Sequence, residues 1–206
     1  AVNDPPIISN GSFSTNEDVE TTYDLSNLNA SDIDSNTLTY TITTNPTKGV
    51  ASINKTILTY TPNADVNGDD SLQVTVSDGE LYGELSATAT VTITINAVND
   101  PPIISNGSFS TNEDEETRYD LSNLNASDID SNTFSYEITT DPKIGVASLD
   151  GTTLTYTPNA NENGDDSLQV TVSDGQLTAT ATVTITINPV NDPPIISNGS
   201  FSTNED

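Results

Sequence analysis

The sequence predicts an all-β chain of seven-stranded, immunoglobulin-like β-sandwiches repeated in tandem and joined end to end. Three observations carry that prediction. The segment AVNDPPIISNGSFSTNED at 1–18 returns at 97–114, and again at 189–206 with Pro189 in place of Ala, so the chain is an array of near-copies. Inside a unit the apolar residues alternate with polar ones, the pattern of half-buried antiparallel strands, and no stretch has helical periodicity. Turn residues punctuate the runs often enough to leave about seven short strands per unit, the count of an immunoglobulin-like sandwich.

The repeat sets the domain boundaries at 1–96 and 97–188, with 189–206 opening a third unit. Strands are expected near 7–15, 20–25, 37–43, 49–53, 57–61, 71–77 and 86–95. Leu38-Thr39-Tyr40-Thr41-Ile42, Leu58-Thr59-Tyr60 and Leu72-Gln73-Val74-Thr75-Val76 alternate cleanly, and the last run extends from Ala87 to Ile95. β-Branched residues dominate these runs, as a pleated surface favours. Asn10-Gly11, Asn45-Pro46, Pro62-Asn63, Asn67-Gly68 and Asp78-Gly79 mark the turns. The expected core is Phe13, Tyr23, Leu25, Leu38, Tyr40, Ile42, Leu58, Tyr60, Leu72, Val74, Val76, Val91 and Ile93. Residues Tyr82–Leu85 have no counterpart in the second unit, which places an exposed loop tip there. The chain opens on Ala1 and so reads as a piece of something longer.

Composition removes whole classes of function. There are 31 acidic residues against 4 basic ones, a net charge of −27. Nucleic acid and anionic membrane surfaces are poor partners for such a chain. Cys, His, Met and Trp are absent. That excludes disulfides, thiolate and imidazole catalysis, zinc and copper sites, and a Ser-His-Asp triad. No stretch is apolar or long enough to insert in a membrane as a helix, and the N-terminus carries no signal-peptide pattern.

Strand parity sorts the acids. If successive strands run up and down the sandwich, the first, third and fifth connections share one end of a unit, and the second, fourth and sixth share the other. Glu17 and Asp18, with Asp65, Asp69 and Asp70, then fall at the far end of unit 1. Asn99 and Asp100 are in the linker, and Asp128, Asp130 and Asp174 lie at the near end of unit 2. So many carboxylates cannot converge unpaired. With four basic residues in the chain, the available counter-charge is a metal ion, and an all-oxygen donor set selects Ca²⁺. By the repeat, Asp32, Asp34 and Asp78 are the same positions in unit 1, and Glu113, Asp165, Asp166 and Asp192 recur further along. Asp65 becomes Asn161 and Glu80 becomes Gln176 in the second unit, so neither is a strong candidate.

Ala30-Ser31-Asp32-Ile33-Asp34 through Tyr40 resembles the DxD motif of cadherin repeats, whose two aspartates bind Ca²⁺. Val98-Asn99-Asp100-Pro101-Pro102 resembles the cadherin inter-repeat linker, Glu17 the glutamate of the first strand, and Val76-Ser77-Asp78-Gly79 the AxD element. The linker has one Asp where cadherins usually have two acids, and there is no DRE motif; Asp69 and Asp70 are the possible substitutes. Repeats of this AVNDPP type are similar to those of large bacterial surface adhesins of the RTX family, secreted to the cell surface. The resemblance implies a non-catalytic extender: a monomeric rod whose partners are its own neighbouring repeats, rigidified by Ca²⁺ at the junctions, with the distal ligand bound by other domains. The alternative is a Ca²⁺-dependent carbohydrate-binding or homophilic adhesion module, which the scarcity of aromatic residues disfavours. A metal-independent β-sandwich linker is a further alternative. Carboxylate pairs could serve a glycosidase, but here they fall at domain ends and line no recognisable cleft. The Thr88, Thr90, Thr92 and Thr94 ladder reads as an ordinary solvent face.

Overall fold

A computed structural model describes residues 3–79 and 84–203. The chain forms two compact units, Ala1–Val98 and Asn99–Asp206, built alike and all-β. In unit 1 the strands are β1 (Gly11–Asn16), β2 (Thr21–Asp24), β3 (Thr39–Thr44), β4 (Gly49–Asn54), β5 (Ile57–Pro62), β6 (Gly68–Ser77) and β7 (Ser86–Asn96). In unit 2 they are β8 (Gly107–Asn112), β9 (Thr117–Asp120), β10 (Ser135–Thr140), β11 (Gly145–Asp150), β12 (Thr153–Pro158), β13 (Gly164–Ser173) and β14 (Thr178–Asn188). Each unit is a sandwich of a four-stranded sheet, in the order β1-β7-β6-β3, and a three-stranded sheet, in the order β2-β5-β4; unit 2 repeats both.

Alternation places one face of each strand in the core. In unit 1 Leu58, Tyr60, Leu72, Val74, Val91, Ile93 and Ile95 are buried between the sheets, and Phe13, Tyr23, Tyr40 and Ile42 close the margins. The Phe13 ring stacks on Tyr23 with centroids 5.1 Å apart and meets Tyr60 edge-on at 6.2 Å, arrangements that add to plain burial. Val76 is buried and Leu38 half-buried.

Three features depart from the sequence reading. The predicted strand 7–15 is broken. Ile7 bridges Ser31, and the chain then crosses to pair β1 in parallel with β7, Gly11 opposite Val91. Asn10 secures the crossing by accepting Thr90 N–H at 2.8 Å. A side chain at Gly11 would lie 2.6 Å from the Tyr23 hydroxyl, so the close approach requires glycine.

A one-turn 3-10 helix, Leu25–Leu28, follows β2 and buries both leucines completely. Asp24 caps it by accepting Ser26 N–H, the largest of the effects that hold its carboxyl below the usual range. Asn29 ends it in the left-handed conformation, φ 51°.

The predicted strand 71–77 begins earlier, at Gly68 (φ 93°), and takes Asp69 and Asp70 out of the loop and into β6. The inward face of β6 continues backward from Leu72 to Asp70. Tyr82 and Gly83 of the expected loop tip lie outside the described residues; Glu84 is exposed, while Leu85 is half-buried and donates its N–H to Asp78 at 3.1 Å.

Candidate metal centre

Each unit gathers acids at both ends. At the N-terminal end of unit 2, Asp128 Oδ1 accepts the N–H groups of Asp130 (2.7 Å) and Ser131 (2.9 Å), a tight local loop that two aspartates two residues apart fold readily. Asp130 Oδ2 accepts Asp100 N–H at 2.9 Å, which ties the incoming segment to the loop. Asn99 Nδ2 donates to Asp174 Oδ2 at 2.7 Å, and Asp174 Oδ1 accepts Gln176 and Leu177 N–H. The Asn99 bond, followed by those two backbone donors, holds the Asp174 carboxyl below its ordinary range, so it is an anion at neutral pH. Asn99, Asp100, Asp128, Asp130 and Asp174 therefore form one constellation from three separate segments.

Unit 1 repeats it residue for residue. Asp32 Oδ1 accepts Asp34 and Ser35 N–H at 2.7 and 2.8 Å, Asp34 Oδ2 accepts Asp4 N–H at 3.0 Å, and Asn3 Nδ2 donates to Asp78 Oδ2 at 2.7 Å. Asn3 and Asp4 were missed as candidates although the repeat maps them onto Asn99 and Asp100. In both units the second oxygen of the first aspartate, Oδ2 of Asp32 and of Asp128, is buried with no hydrogen-bond partner. A buried carboxylate oxygen left unsatisfied is costly. A hard cation would satisfy it, and the constellation offers carboxylates and a carboxamide, an oxygen set that suits Ca²⁺.

The opposite end of each unit is organised around a buried glutamate. Glu17 is 3% exposed; its N–H donates to Asn96 O at 3.0 Å, and its Oε1 accepts Val98 N–H at 2.6 Å. Glu113 does the same in unit 2 with Asn188 O and Val190 N–H, and its Oε2 also takes Asn163 Nδ2 at 3.2 Å. Asp18, in left-handed backbone at φ 60°, accepts Asp65 N–H at 3.2 Å; in unit 2, Asp114 accepts Asn161 N–H at 3.1 Å. Asp192 is exposed.

Asp70 and Asp166 stand apart from these ends. Asp70 is 7% exposed and accepts N–H bonds from Thr47, Lys48 and Ser71 (each 2.9 Å) and the Tyr60 hydroxyl at 2.8 Å. Burial pushes its carboxyl up, but those donors together outweigh burial and hold it below the usual range. The same burial, with the carboxylate beside it, raises the Tyr60 hydroxyl. Asp166 makes the corresponding bonds to Lys143, Ile144, Ser167 and Tyr156. These carboxylates pin the connection before β4 and β11 to the sheets. Asp69 and Asp165 face solvent, each accepting a threonine hydroxyl from the neighbouring strand, Thr94 at 3.4 Å and Thr186 at 3.3 Å.

Two-sheet sandwiches of this topology, repeated in tandem, have the immunoglobulin-like and cadherin-like fold. The chain belongs to the bacterial Ig domain family, whose model matches it twice, over residues 3–94 and 99–186. No curated protein matches the sequence. Among solved structures it is similar to human protocadherin-24 EC1-2, with 17% identity, TM-score 0.56, and coverage of 93% of this chain and 100% of that one. Mouse protocadherin-24 EC1-3 aligns with 18% identity and TM-score 0.54 over 90% of this chain and 70% of its own. An endo-fucoidan hydrolase, MfFcnA4 from glycoside hydrolase family 107, aligns at TM-score 0.39 and 20% identity over 91% of this chain; the chain spans 29% of that enzyme's length. The two protocadherin likenesses show the fold. Domains of this class are typically non-catalytic, and bacterial Ig-like domains are usually extracellular or surface-exposed. No helix among the described residues is long and apolar enough to cross a membrane.

Proposed function

We propose that the chain is part of the non-catalytic extender region of a large bacterial surface adhesin of the RTX type, stiffened by Ca²⁺ bound where one repeat meets the next. The observation that carries this reading is the buried, unpartnered Oδ2 of Asp32 and Asp128, repeated in both units. The linker supports it. Val98 N–H is anchored to Glu17 of unit 1, and the next residue, Asn99, is anchored to Asp174 of unit 2. In unit 2, Asn99, Asp100, Asp128, Asp130 and Asp174 would supply ligands, and at the C-terminal end of unit 1 Glu17, Asp18 and Asp65 are the candidates. Asp70 and Asp166 have no part in it, because folding already employs their oxygens.

The ion supplies charge neutralisation and a fixed geometry between neighbours. Binding to the folded form alone adds about 1.4 kcal/mol per site at a tenfold excess over Kd. Removing it leaves the like charges at each end unneutralised. In this reading the partners are the adjacent repeats, the rod is monomeric, and ligand recognition belongs to other domains. Small-angle scattering with Ca²⁺ and with EGTA tests it. The expected result is a shorter maximum dimension, a broader distribution and a lower melting temperature in chelator; unchanged curves would refute the reading.

A further inference from the structure

Five Asn-Gly pairs occur in the chain, at 10–11, 67–68, 106–107, 163–164 and 198–199. At such a pair the glycine nitrogen can attack the asparagine Cγ. A C–N bond forms, ammonia leaves with the amide proton, and water then opens the succinimide to aspartate or isoaspartate. The step needs freedom to rearrange and a glycine N–H acidic enough to lose its proton.

The fold separates the first four; Asn198 lies in the exposed stretch after β14, outside the folded part of either unit. Asn10 and Asn106 have their carboxamide oxygens held by Thr90 and Thr182 N–H, both at 2.8 Å. The glycines that follow are locked in the parallel ladder, opposite Val91 and Val183. Asn67 differs. It is exposed, as Asn10 and Asn106 are, and Gly68 after it is paired opposite Ile95, but Gly68 opens β6 at φ 93°. Lys48 Nζ donates to the Asn67 backbone carbonyl at 2.9 Å. That carbonyl and the Gly68 nitrogen belong to one peptide group, so the ammonium draws electron density from the nitrogen and acidifies it. In unit 2 the lysine is replaced by Ile144, and the Asn163 carboxamide donates to Glu113 at 3.2 Å. A carboxylate there opposes the anion that must form.

We infer that Asn67 is a spontaneous deamidation site, activated by Lys48, which turns an amide two residues from Asp65 into a further carboxylate as the protein ages. That the added charge changes cation binding rests on the proposed function; the conversion itself does not.

Native protein aged at mildly alkaline pH and mapped by peptide mass spectrometry tests the inference. Aspartate and isoaspartate should accumulate at Asn67 several-fold faster than at Asn163, while Asn10 and Asn106 stay intact. Lys48→Ile and Lys48→Met should each slow Asn67 to the Asn163 rate, with intact Asn10 in the same digest certifying the fold. Equal rates at Asn67 and Asn163 in the native chain, or no response to either Lys48 variant, would overturn it. In a separate calcium titration, Asn67→Asp should shift the affinity relative to the native chain, and equal affinities would overturn the regulatory consequence. Failure of both to bind would overturn the calcium reading and leave the peptide map to judge the conversion.

Discussion

Replacing Asp70 by Asn tests the pinning carboxylate with almost no change in volume. Three backbone N–H groups, the Thr47 hydroxyl and one phenol converge on its two oxygens. An asparagine keeps one oxygen, so its NH₂ must face donors on one side. Tyr60 can turn its hydroxyl to accept, but a backbone N–H cannot. The substitution leaves a buried donor unsatisfied and weakens the remaining charge-assisted bonds, a loss of about 3 kcal/mol. For a domain of this size that corresponds to a melting temperature lower by about 15 °C. Scanning calorimetry of the two-unit chain in chelator reads it directly. Asp70→Asn should displace one transition and Asp166→Asn the other, while Tyr60→Phe, which removes a single donor, should cost about 1 kcal/mol. A displacement of under about 2 °C for Asp70→Asn would refute the argument, since the carboxylate would then be tolerated rather than required.

Other consequences follow from the same geometry. Leu28→Ala should cost about 3 kcal/mol, read from the urea midpoint, because it empties a fully buried site in the 3-10 turn. Gly49→Ala should cost about 2 kcal/mol, because its Cβ would lie 2.6 Å from the Thr61 carbonyl oxygen, which is backbone and cannot give way. Asp70 and Asp166 have folded-state values below the ordinary carboxylate range. Their stabilisation is therefore present above the unfolded value of about 3.9 and is lost as pH falls through the folded values. Urea midpoints in chelator should fall steeply below about pH 4, and the Asp70→Asn/Asp166→Asn pair should flatten that dependence.

The alternation in Leu72-Gln73-Val74-Thr75-Val76 and Ala87 to Ile95 made the strands and the core face legible, because each side chain's face follows from its parity. Parity also reached further than it was applied. Asp70 lies two residues before Leu72 and so shares its inward face, but an acid on the core side runs against strand preference, and its partners at 47, 48 and 60 are distant in sequence. The Leu25–Leu28 turn is too short to show a period. The parallel pairing of β1 with β7 joins residues some eighty positions apart, and only the Asn10-Gly11 pair hinted at the crossing. For the candidate metal centre, the repeat and the Asp32-Ile33-Asp34 spacing picked out Asp32, Asp34 and Asp78 but not Asp4, the counterpart of Asp100, which lies in the same constellation. Which oxygen is left without a donor depends on the backbone path, and that is visible only in three dimensions.

The central claim is that the ends of these units hold calcium. Isothermal titration of Ca²⁺ into the chelator-stripped chain tests it most directly. The account predicts a saturable heat that is sharply reduced by Asp128→Asn with Asp130→Asn, and left intact by Asp69→Asn with Asp165→Asn. Absence of any binding heat up to millimolar Ca²⁺, or binding indifferent to Asp128 and Asp130, would contradict it.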